Sequence, residues 1–280
     1  MRNVLFICTG NTCRSPMAEA IAEKLVPGVL FFSRGLSVPF PDSASENSIA
    51  VCRKHGIDLS SHTSRPLTSE DLSVCSEIIV MTESHKAFLD NILSRLGEKK
   101  NIAVLGVSDP YGQDFSAYCR CFEEIKAGIV SYFFDCSALP LDKPLIKTAA
   151  ELEKNTFSQP WSEDSFEKFI DNPNSVGICL VQSEHLLGYI TGCNVCGDCE
   201  IYNIAVDPRE RRKGFGQLLL SLFQMEVFGE NVTVSLEVRK SNSAAISLYE
   251  KTGFIRSGER RSFYEDPRED AFVYTKKLGE

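Results

Sequence analysis

The sequence predicts two α/β domains in series, a parallel-sheet domain covered by helices and then a domain built on a mixed sheet. Three observations carry this. The chain has 280 residues, 43% hydrophobic and 24% charged, an ordinary globular composition too long for one typical core. Up to residue 134, short apolar runs alternate with amphipathic stretches, the rhythm of parallel strands joined by helices. After Asp135 the rhythm changes, and from Val176 onward strands come in antiparallel style.

In the first part, residues 4–7, 29–32, 77–81 and 102–105 read as buried strands. Residues 16–25, 46–55, 83–95 and 115–134 carry helical patterns, with Gly56 and Gly97 at C-terminal cap positions. In the second part, 138–141 reads as a short strand, and Asp142 caps a helix over 143–154. Strands 177–182 and 186–190 flank the turn Ser183-Glu184-His185, and strand 200–206 follows. A helix over 213–228, a strand over 232–238, a helix over 243–252 and two further strands complete the chain. The expected domains are 1–136 and 137–280.

Several classes of protein are excluded. No apolar run approaches the roughly 18–20 residues of a membrane span. Met1-Arg2-Asn3 enters the first strand without an apolar leader or cleavage site, so no export is expected. With 30 basic against 38 acidic residues the net charge is −8, which argues against a sequence-independent nucleic-acid binder, since that needs a basic face. The 11 cysteines are odd in number and scattered, and read as reduced thiols of a cytoplasmic protein. Cys193-x2-Cys196-x2-Cys199 has the spacing of a zinc site, the alternative to a cysteine-bearing hairpin. No fourth ligand lies nearby and the four histidines form no ligand spacing, so no metal is expected.

Two stretches carry chemistry. The first strand runs into Cys8-Thr9-Gly10-Asn11-Thr12-Cys13-Arg14-Ser15, and Pro16 opens a helix. A strand-to-helix turn aims backbone N–H groups at one point, and the helix N-terminus adds positive charge. Gly10 and Asn11 tolerate the left-handed backbone such a curl needs. Arg14 can grip two phosphate oxygens. That field favours the thiolate of Cys8, a nucleophile toward phosphorus. Asp109, just after the fourth strand and at the same sheet edge, is the candidate acid.

Cys8–Ser15 with Pro16-Met17-Ala18-Glu19 and the later Asp109-Pro110 resembles the low-molecular-weight protein-tyrosine-phosphatase family. Ser33-Arg34-Gly35-Leu36, Ser64-Arg65-Pro66-Leu67-Thr68 and Met81-Thr82-Glu83-Ser84-His85-Lys86 add to the match, which covers residues 1 to about 136. The resemblance implies a cysteine-dependent protein phosphatase with Cys8, Arg14 and Asp109 catalytic. Thr9, Gly10, Asn11, Thr12, Cys13 and Ser15 would surround the phosphate. Tyrosine-directed members usually carry Ile or Leu at position 12. Thr12 resembles the branch that acts on phosphoarginine in proteins, so phosphoarginine is favoured over phosphotyrosine.

In the second part, a strand ending Ile204-Ala205-Val206 leads through Asp207-Pro208-Arg209-Glu210 to Arg211-Arg212-Lys213-Gly214-Phe215-Gly216-Gln217 and an apolar helix. A basic run with Gly-x-Gly at a helix start makes an anion site sized for a pyrophosphate. The alternation of Val232-Thr233-Val234-Ser235-Leu236-Glu237-Val238 puts Glu237 on the face of Thr233 and Ser235. Ser241-Asn242-Ser243 reads as an N-cap cluster and Tyr249 lies in the helix after it. A strand carboxylate and a helical phenol facing one cleft suit a base and an acid.

This half, about 137–280, resembles the GNAT superfamily and its RimI-type ribosomal-protein-alanine N-acetyltransferases. Pro160-Trp161-Ser162, Asn203–Val206 with Asp207-Pro208, Arg211-x-x-Gly214-x-Gly216, Leu236–Arg239, Ser241-Asn242, Leu248-Tyr249 and Gly253-Phe254 carry the match. Arg260-Arg261-Ser262-Phe263-Tyr264 and Arg268-Glu269-Asp270-Ala271 continue it, although Phe263 stands where the family often has Tyr. The resemblance implies acetyl-CoA as co-substrate, held by backbone of Ile204, Ala205 and Val206, by the turn from Arg211 and Arg212 through Gln217, and by Asn242. Glu237 would take a proton from the attacking amine and Tyr249 would return one to the thiolate. The expected partners are phosphorylated proteins and a ribosomal-protein N-terminus. The alternatives are a phosphotyrosine phosphatase with another acetyl acceptor, or one domain serving only as a binding module.

Overall fold

A computed structural model describes residues 2–279. The chain divides between Phe133 and Phe134 into two compact units. Among the described residues no helix is long and apolar enough to cross a membrane.

The first unit holds strands β1 (Asn3–Cys8), β2 (Leu30–Gly35), β3 (Glu77–Val80) and β4 (Ile102–Val104), all parallel, in the order β2-β1-β3-β4. Val4, Leu5, Phe6 and Ile7 of central β1 are fully buried because helices cover both faces. Leu5 and Ile7 join a cluster with Ile78, Val80, Leu89 and Leu93. On the other face Phe6 stacks on Phe31, at 5.9 Å between ring centroids.

The helices are α1 (Arg14–Leu25), α2 (Glu46–Lys54), α3 (Ser69–Val74), α4 (Glu83–Leu96) and α5 (Phe115–Phe134). Ser45, Thr68 and Thr82 cap α2, α3 and α4, each side chain accepting a backbone N–H three residues on. Gly97 ends α4 in the left-handed region at φ 70°. The short α3, with only Leu72 and Val74 apolar among its six residues, has no apolar periodicity to announce it. Helix α1 starts at Arg14, before Pro16, so the anion loop closes directly into its first turn.

The second unit contains β5 (Ser137–Pro140), α6 (Lys143–Thr156), α7 (Glu163–Ile170), β6 (Ser175–Gln182), β7 (His185–Val195) and β8 (Asp198–Val206). A 3-10 turn, α8 (Phe215–Glu226), β9 (Val232–Arg239), α9 (Ser243–Lys251), β10 (Ile255–Glu265) and β11 (Arg268–Leu278) follow. Its seven strands run in the order β10-β11-β9-β8-β7-β6-β5, antiparallel except for the pair β8 and β9. Helix α8 packs against β6, β7 and β8, and α6 against β7 and β8. Strands β7 and β8 are longer than their apolar cores, because Cys193–Val195 and Asp198–Cys199 continue the ladder to a tight turn.

Candidate active sites

Strand β1 delivers Cys8 to the carboxyl end of the parallel sheet, where neighbours β2 and β3 lie on opposite sides. The loop after it is tied from outside by its carbonyls. Those of Cys8 and Thr9 accept from the N–H groups of Leu36 and Ser37, at 3.0 and 2.9 Å. That of Asn11 accepts from His62 Nε2 at 2.8 Å, and that of Thr12 from the N–H of Ser45 at 2.8 Å. A loop whose carbonyls are held outward turns N–H groups inward. The N–H of Asn11 donates to Cys8 Sγ at 3.2 Å, and Ser15 Oγ lies 3.1 Å from the same sulfur.

Asn11 is the keystone of the curl. It is fully buried, adopts φ 56°, and its Nδ2 donates to Ser15 Oγ and Ser33 Oγ at 2.9 and 2.8 Å. Its Oδ1 accepts from the N–H of Arg65 at 2.9 Å. The expectation of left-handed backbone thus holds at Asn11, while Gly10 is not among the positive-φ residues. A Cβ on Gly35 would come within 2.8 Å of the Thr9 carbonyl oxygen, so the end of β2 approaches the loop as only glycine allows.

Buried Arg14 donates from Nη2 to Asp109 Oδ2 at 2.6 Å, and Asp109 Oδ1 accepts from the N–H of Tyr111 at 3.2 Å. The sequence separates these partners by 95 residues, and the loop after β4 brings them together. Thr12 is half-buried, with Oγ1 3.7 Å from Cys13 Sγ. Cys13 Sγ turns away to Ser45 Oγ and Tyr118 OH, each at 3.4 Å. Burial, with the Cys13 contact adding to it, pushes the Tyr118 phenol up to about 12.

In the second unit the geometry turns on one parallel pair. Strands β8 and β9 pair from Asp198 with Thr233 to Ile201 with Leu236, and there the ladder stops. Asn203, Ile204, Ala205 and Val206 remain paired with β7. Their edge toward β9 has main-chain groups outside any ladder among the described residues, and such an edge accepts an extended amide-bearing chain. Beyond it Arg212 and Gly214 take left-handed φ of 64° and 91°, and α8 starts on Gly214 with no side-chain cap. Arg211 Nε donates to the Val206 carbonyl at 3.3 Å, and Lys213 pairs with Glu210 at 2.7 Å. Phe215 is buried, and Gly216 and Gln217 are half-buried in the first turn of α8. A Cβ on Gly216 would lie 3.0 Å from Leu248.

Glu237 sits just past the end of the ladder, its side chain 11% exposed, with Arg260 Nη2 of β10 at 3.1 Å from Oε1. Burial raises its proton affinity above the usual carboxylate range, the Glu200 charge adds to this and Arg260 opposes it. A guanidinium from another strand thus faces this carboxylate. Tyr249 is buried in α9 against Phe254 and Tyr274, and burial holds its phenol above the ordinary range. Asn242 caps α9, its Oδ1 accepting from the Ala245 N–H at 3.2 Å, which leaves its amide N–H groups to donate elsewhere.

The three-cysteine segment is the β7–β8 hairpin. Cys196 and Gly197 form its turn with φ of 53° and 94°, the Asn194 side chain accepting from the Gly197 N–H at 3.1 Å. Cys193 and Cys199 are buried on the strands and Cys196 is exposed. Among the described residues no three His, Cys, Asp or Glu side chains converge as metal ligands.

Several site neighbours escape a sequence reading. His62, His85 and Arg260 meet their partners through the fold, across 51, 76 and 23 residues, with no spacing to betray them. Glu153 is different. It is 1% exposed in α6, takes hydrogen bonds from Tyr189 OH, Asn203 Nδ2 (2.9 Å) and the Trp161 N–H (3.1 Å), and burial raises its proton affinity. A carboxylate on the apolar face of Ile146, Ala149 and Ala150 was a readable signal.

A four-stranded parallel sheet with a cysteine-headed anion loop is the frame of a phosphatase. A mixed sheet that parts between its two parallel strands is the frame of an acyltransferase. Residues 3–143 match the profile of the low molecular weight phosphotyrosine protein phosphatases, and the chain belongs to that family. Residues 146–254 match the GNAT acetyltransferase family, so the phosphatase domain is fused to a GNAT domain. The chain is similar to a ribosomal protein bS18-alanine N-acetyltransferase of Escherichia coli K12, at 35% identity over 46% of this chain and 88% of that one. It is similar to the low molecular weight protein-tyrosine-phosphatase PtpB of Staphylococcus epidermidis, at 32% identity over 44% and 90%. Among solved structures, the YwlE arginine phosphatase from Geobacillus stearothermophilus is 33% identical, covering 46% of this chain and 88% of that chain, with a TM-score of 0.42.

Proposed function

We propose that the chain is a bifunctional cytoplasmic enzyme. One half removes phosphoryl groups from proteins, with phosphoarginine favoured, and the other acetylates the N-terminal alanine of a ribosomal protein from acetyl-CoA. The observation that carries the first activity is the convergence of Cys8, the loop N–H groups, Arg14 and Asp109 at one sheet edge. Cys8 attacks phosphorus in line, stabilised as thiolate by Ser15 Oγ and the Asn11 N–H. Arg14 exchanges its Asp109 contact for phosphoryl oxygens, alongside the N–H array of Thr9, Gly10, Asn11, Thr12, Cys13 and Ser15. As the P–N or P–O bond breaks, Asp109 gives its proton to the leaving group. Asp109 then takes a proton from the water that cleaves the Cys8 phosphoryl bond, which regenerates the thiolate. The small, half-buried Thr12 leaves polar room for a guanidinium.

For the second activity, the edge of β8 at Ile204, Ala205 and Val206 that β9 leaves uncovered fits the amides of a pantetheine arm, with Arg211 Nε already on the Val206 carbonyl. The left-handed turn from Arg211, Arg212, Lys213 and Gly214 into Phe215, Gly216 and Gln217 fits a pyrophosphate at the start of α8. Asn242 donates an amide N–H to acetyl-CoA. Glu237 accepts the proton of the acceptor amine through water, and Tyr249, protonated at ordinary pH, returns one to the departing thiolate. A panel of phosphoarginine, phosphotyrosine and phosphoserine peptides tests the first half, with fastest release expected from phosphoarginine. Acetylation of an Ala-first peptide against an N-blocked peptide with free lysines tests the second. Equal rates on the two acceptors would refute the Nα assignment.

A further inference from the structure

His85 lies outside every role assigned above, yet it touches the phosphate loop. It is the third residue of α4 and 6% exposed. Its Nε2 is 2.9 Å from Thr9 Oγ1, the side chain next to the nucleophile, and its Nδ1 is 2.9 Å from Thr82 Oγ1, the cap of α4. The Thr9 carbonyl is already fixed by the Ser37 N–H. Thr9 is thus held by its backbone from the β2 side and by its hydroxyl from α4.

Both ring nitrogens face hydroxyls, which donate or accept as required. The ring can therefore gain a proton and keep both contacts. Thr82 Oγ1 would then accept from Nδ1 and from the His85 backbone N–H (3.3 Å), and donate to Ser84 Oγ at 2.8 Å. Thr9 Oγ1 would accept from Nε2. Burial opposes that proton most, the Arg14 charge opposes it next, and Asp109 favours it. A dianion in the loop offsets Arg14 and adds negative charge of its own.

We propose that His85 is a positioning residue of the phosphatase centre that takes one proton from solvent when a dianionic phosphoryl group enters the loop. It holds Thr9 as a neutral ring in the free enzyme and as an imidazolium in the complex. The proposal rests on the phosphatase reading. Anion affinity and proton affinity must then rise together by the same factor.

The test uses the full chain carrying Cys8→Ser, which removes the nucleophilic sulfur next to Thr9, and sulfate, a dianion throughout the range. Imidazole nitrogen shifts followed by NMR give the His85 midpoint with and without sulfate. Loss of the signal in His85→Asn assigns it and separates it from His62. We expect sulfate to raise the midpoint by about one unit, and sulfate binding to tighten by up to about tenfold as pH falls from above the sulfate-bound midpoint to below the free one. In His85→Asn and His85→Gln, which keep a neutral polar side chain, that pH dependence should vanish. An unmoved midpoint with sulfate bound, or an unchanged slope in both variants, overturns the proposal alone. A Cys8→Ser chain that binds no sulfate overturns it together with the phosphatase reading.

Discussion

Replacing Gly35 by alanine probes how tightly β2 is fitted to the phosphate loop. The new Cβ would lie 2.5 Å from Val38 Cγ2, 2.8 Å from the Thr9 oxygen and 3.0 Å from the Gly10 carbonyl carbon. Val38 is the end of a side chain and can rotate away. Thr9 and Gly10 are backbone, pinned by the N–H of Ser37 and by the buried Asn11 network. Relief to ordinary van der Waals contact needs a displacement of about 0.6 Å, shared between β2 and the loop. Overpacking of this kind costs about 1–3 kcal/mol of stability. A loop displaced by a good part of an ångström loses in-line geometry, and misplacements near 1 Å cost on the order of 100-fold. We therefore expect Gly35→Ala to lower phosphatase kcat/KM by about 10–100-fold while acetyl transfer, in the other unit, is unchanged. Both are measured on one preparation, with a thermal melt beside them. Phosphatase turnover within about twofold of wild type would show that the loop does not depend on this contact.

Substitutions at Asp109, Thr12, Glu237 and Arg260 test the assigned roles. Asp109→Asn should depress release from poor leaving groups far more than from activated aryl phosphates, and equal losses on both would remove Asp109 from the acid role. Thr12→Ile should shift kcat/KM toward phosphotyrosine by about 10–200-fold, since a pocket methylene is worth about 1–3 kcal/mol; an unchanged substrate ratio leaves the guanidinium reading without support. Glu237 has its proton affinity raised, chiefly by burial, so its carboxylate form is lost as pH falls while still above the usual carboxylate range. Acetyl transfer should therefore show an acid limb displaced upward from about 4.3, which Glu237→Gln abolishes and Arg260→Gln moves higher still, because Arg260 opposes protonation; a limb unmoved in both variants removes Glu237 from the base role.

What the sequence tells and what it hides divide along the range of the interactions. The loop from Cys8 to Ser15 is legible because its chemistry is local: a strand end, a left-handed Asn11 and a helix start lie within eight consecutive positions. The turn from Arg211 to Gly216 is legible for the same reason. Asp109 was reached through a general rule, that strand ends of a parallel sheet share one edge, and the 2.6 Å contact with Arg14 agrees with it. No such rule reaches Arg260. Strand β10 pairs with β11 and β11 with β9, so the partner of Glu237 comes from two strands away and depends on a register that shifts between Arg260 and Tyr264. Register follows from which face is buried, and much of β10 is exposed, so its alternation carries little signal.

The pairing of Glu237 with Arg260 alters what this carboxylate can do. An unpaired buried glutamate would hold its proton to a higher pH and serve poorly as a base. A fully solvated one would sit in the usual carboxylate range and pull weakly on an α-amino group of pKa about 7.7–8.0. Here burial raises the proton affinity, while Arg260, itself half outside in water, lowers it again and can follow the carboxylate as it protonates. Screening makes such an exposed cation a modest partner, typically within about 1 kcal/mol. It trims the burial effect without cancelling it, and so leaves Glu237 more basic than a surface carboxylate. A lysine side chain of pKa about 10.4 is a much harder target for a base so tuned than an N-terminal amine. The proposed α-amine acceptor is the one that the proton affinity set by β9 and β10 would favour.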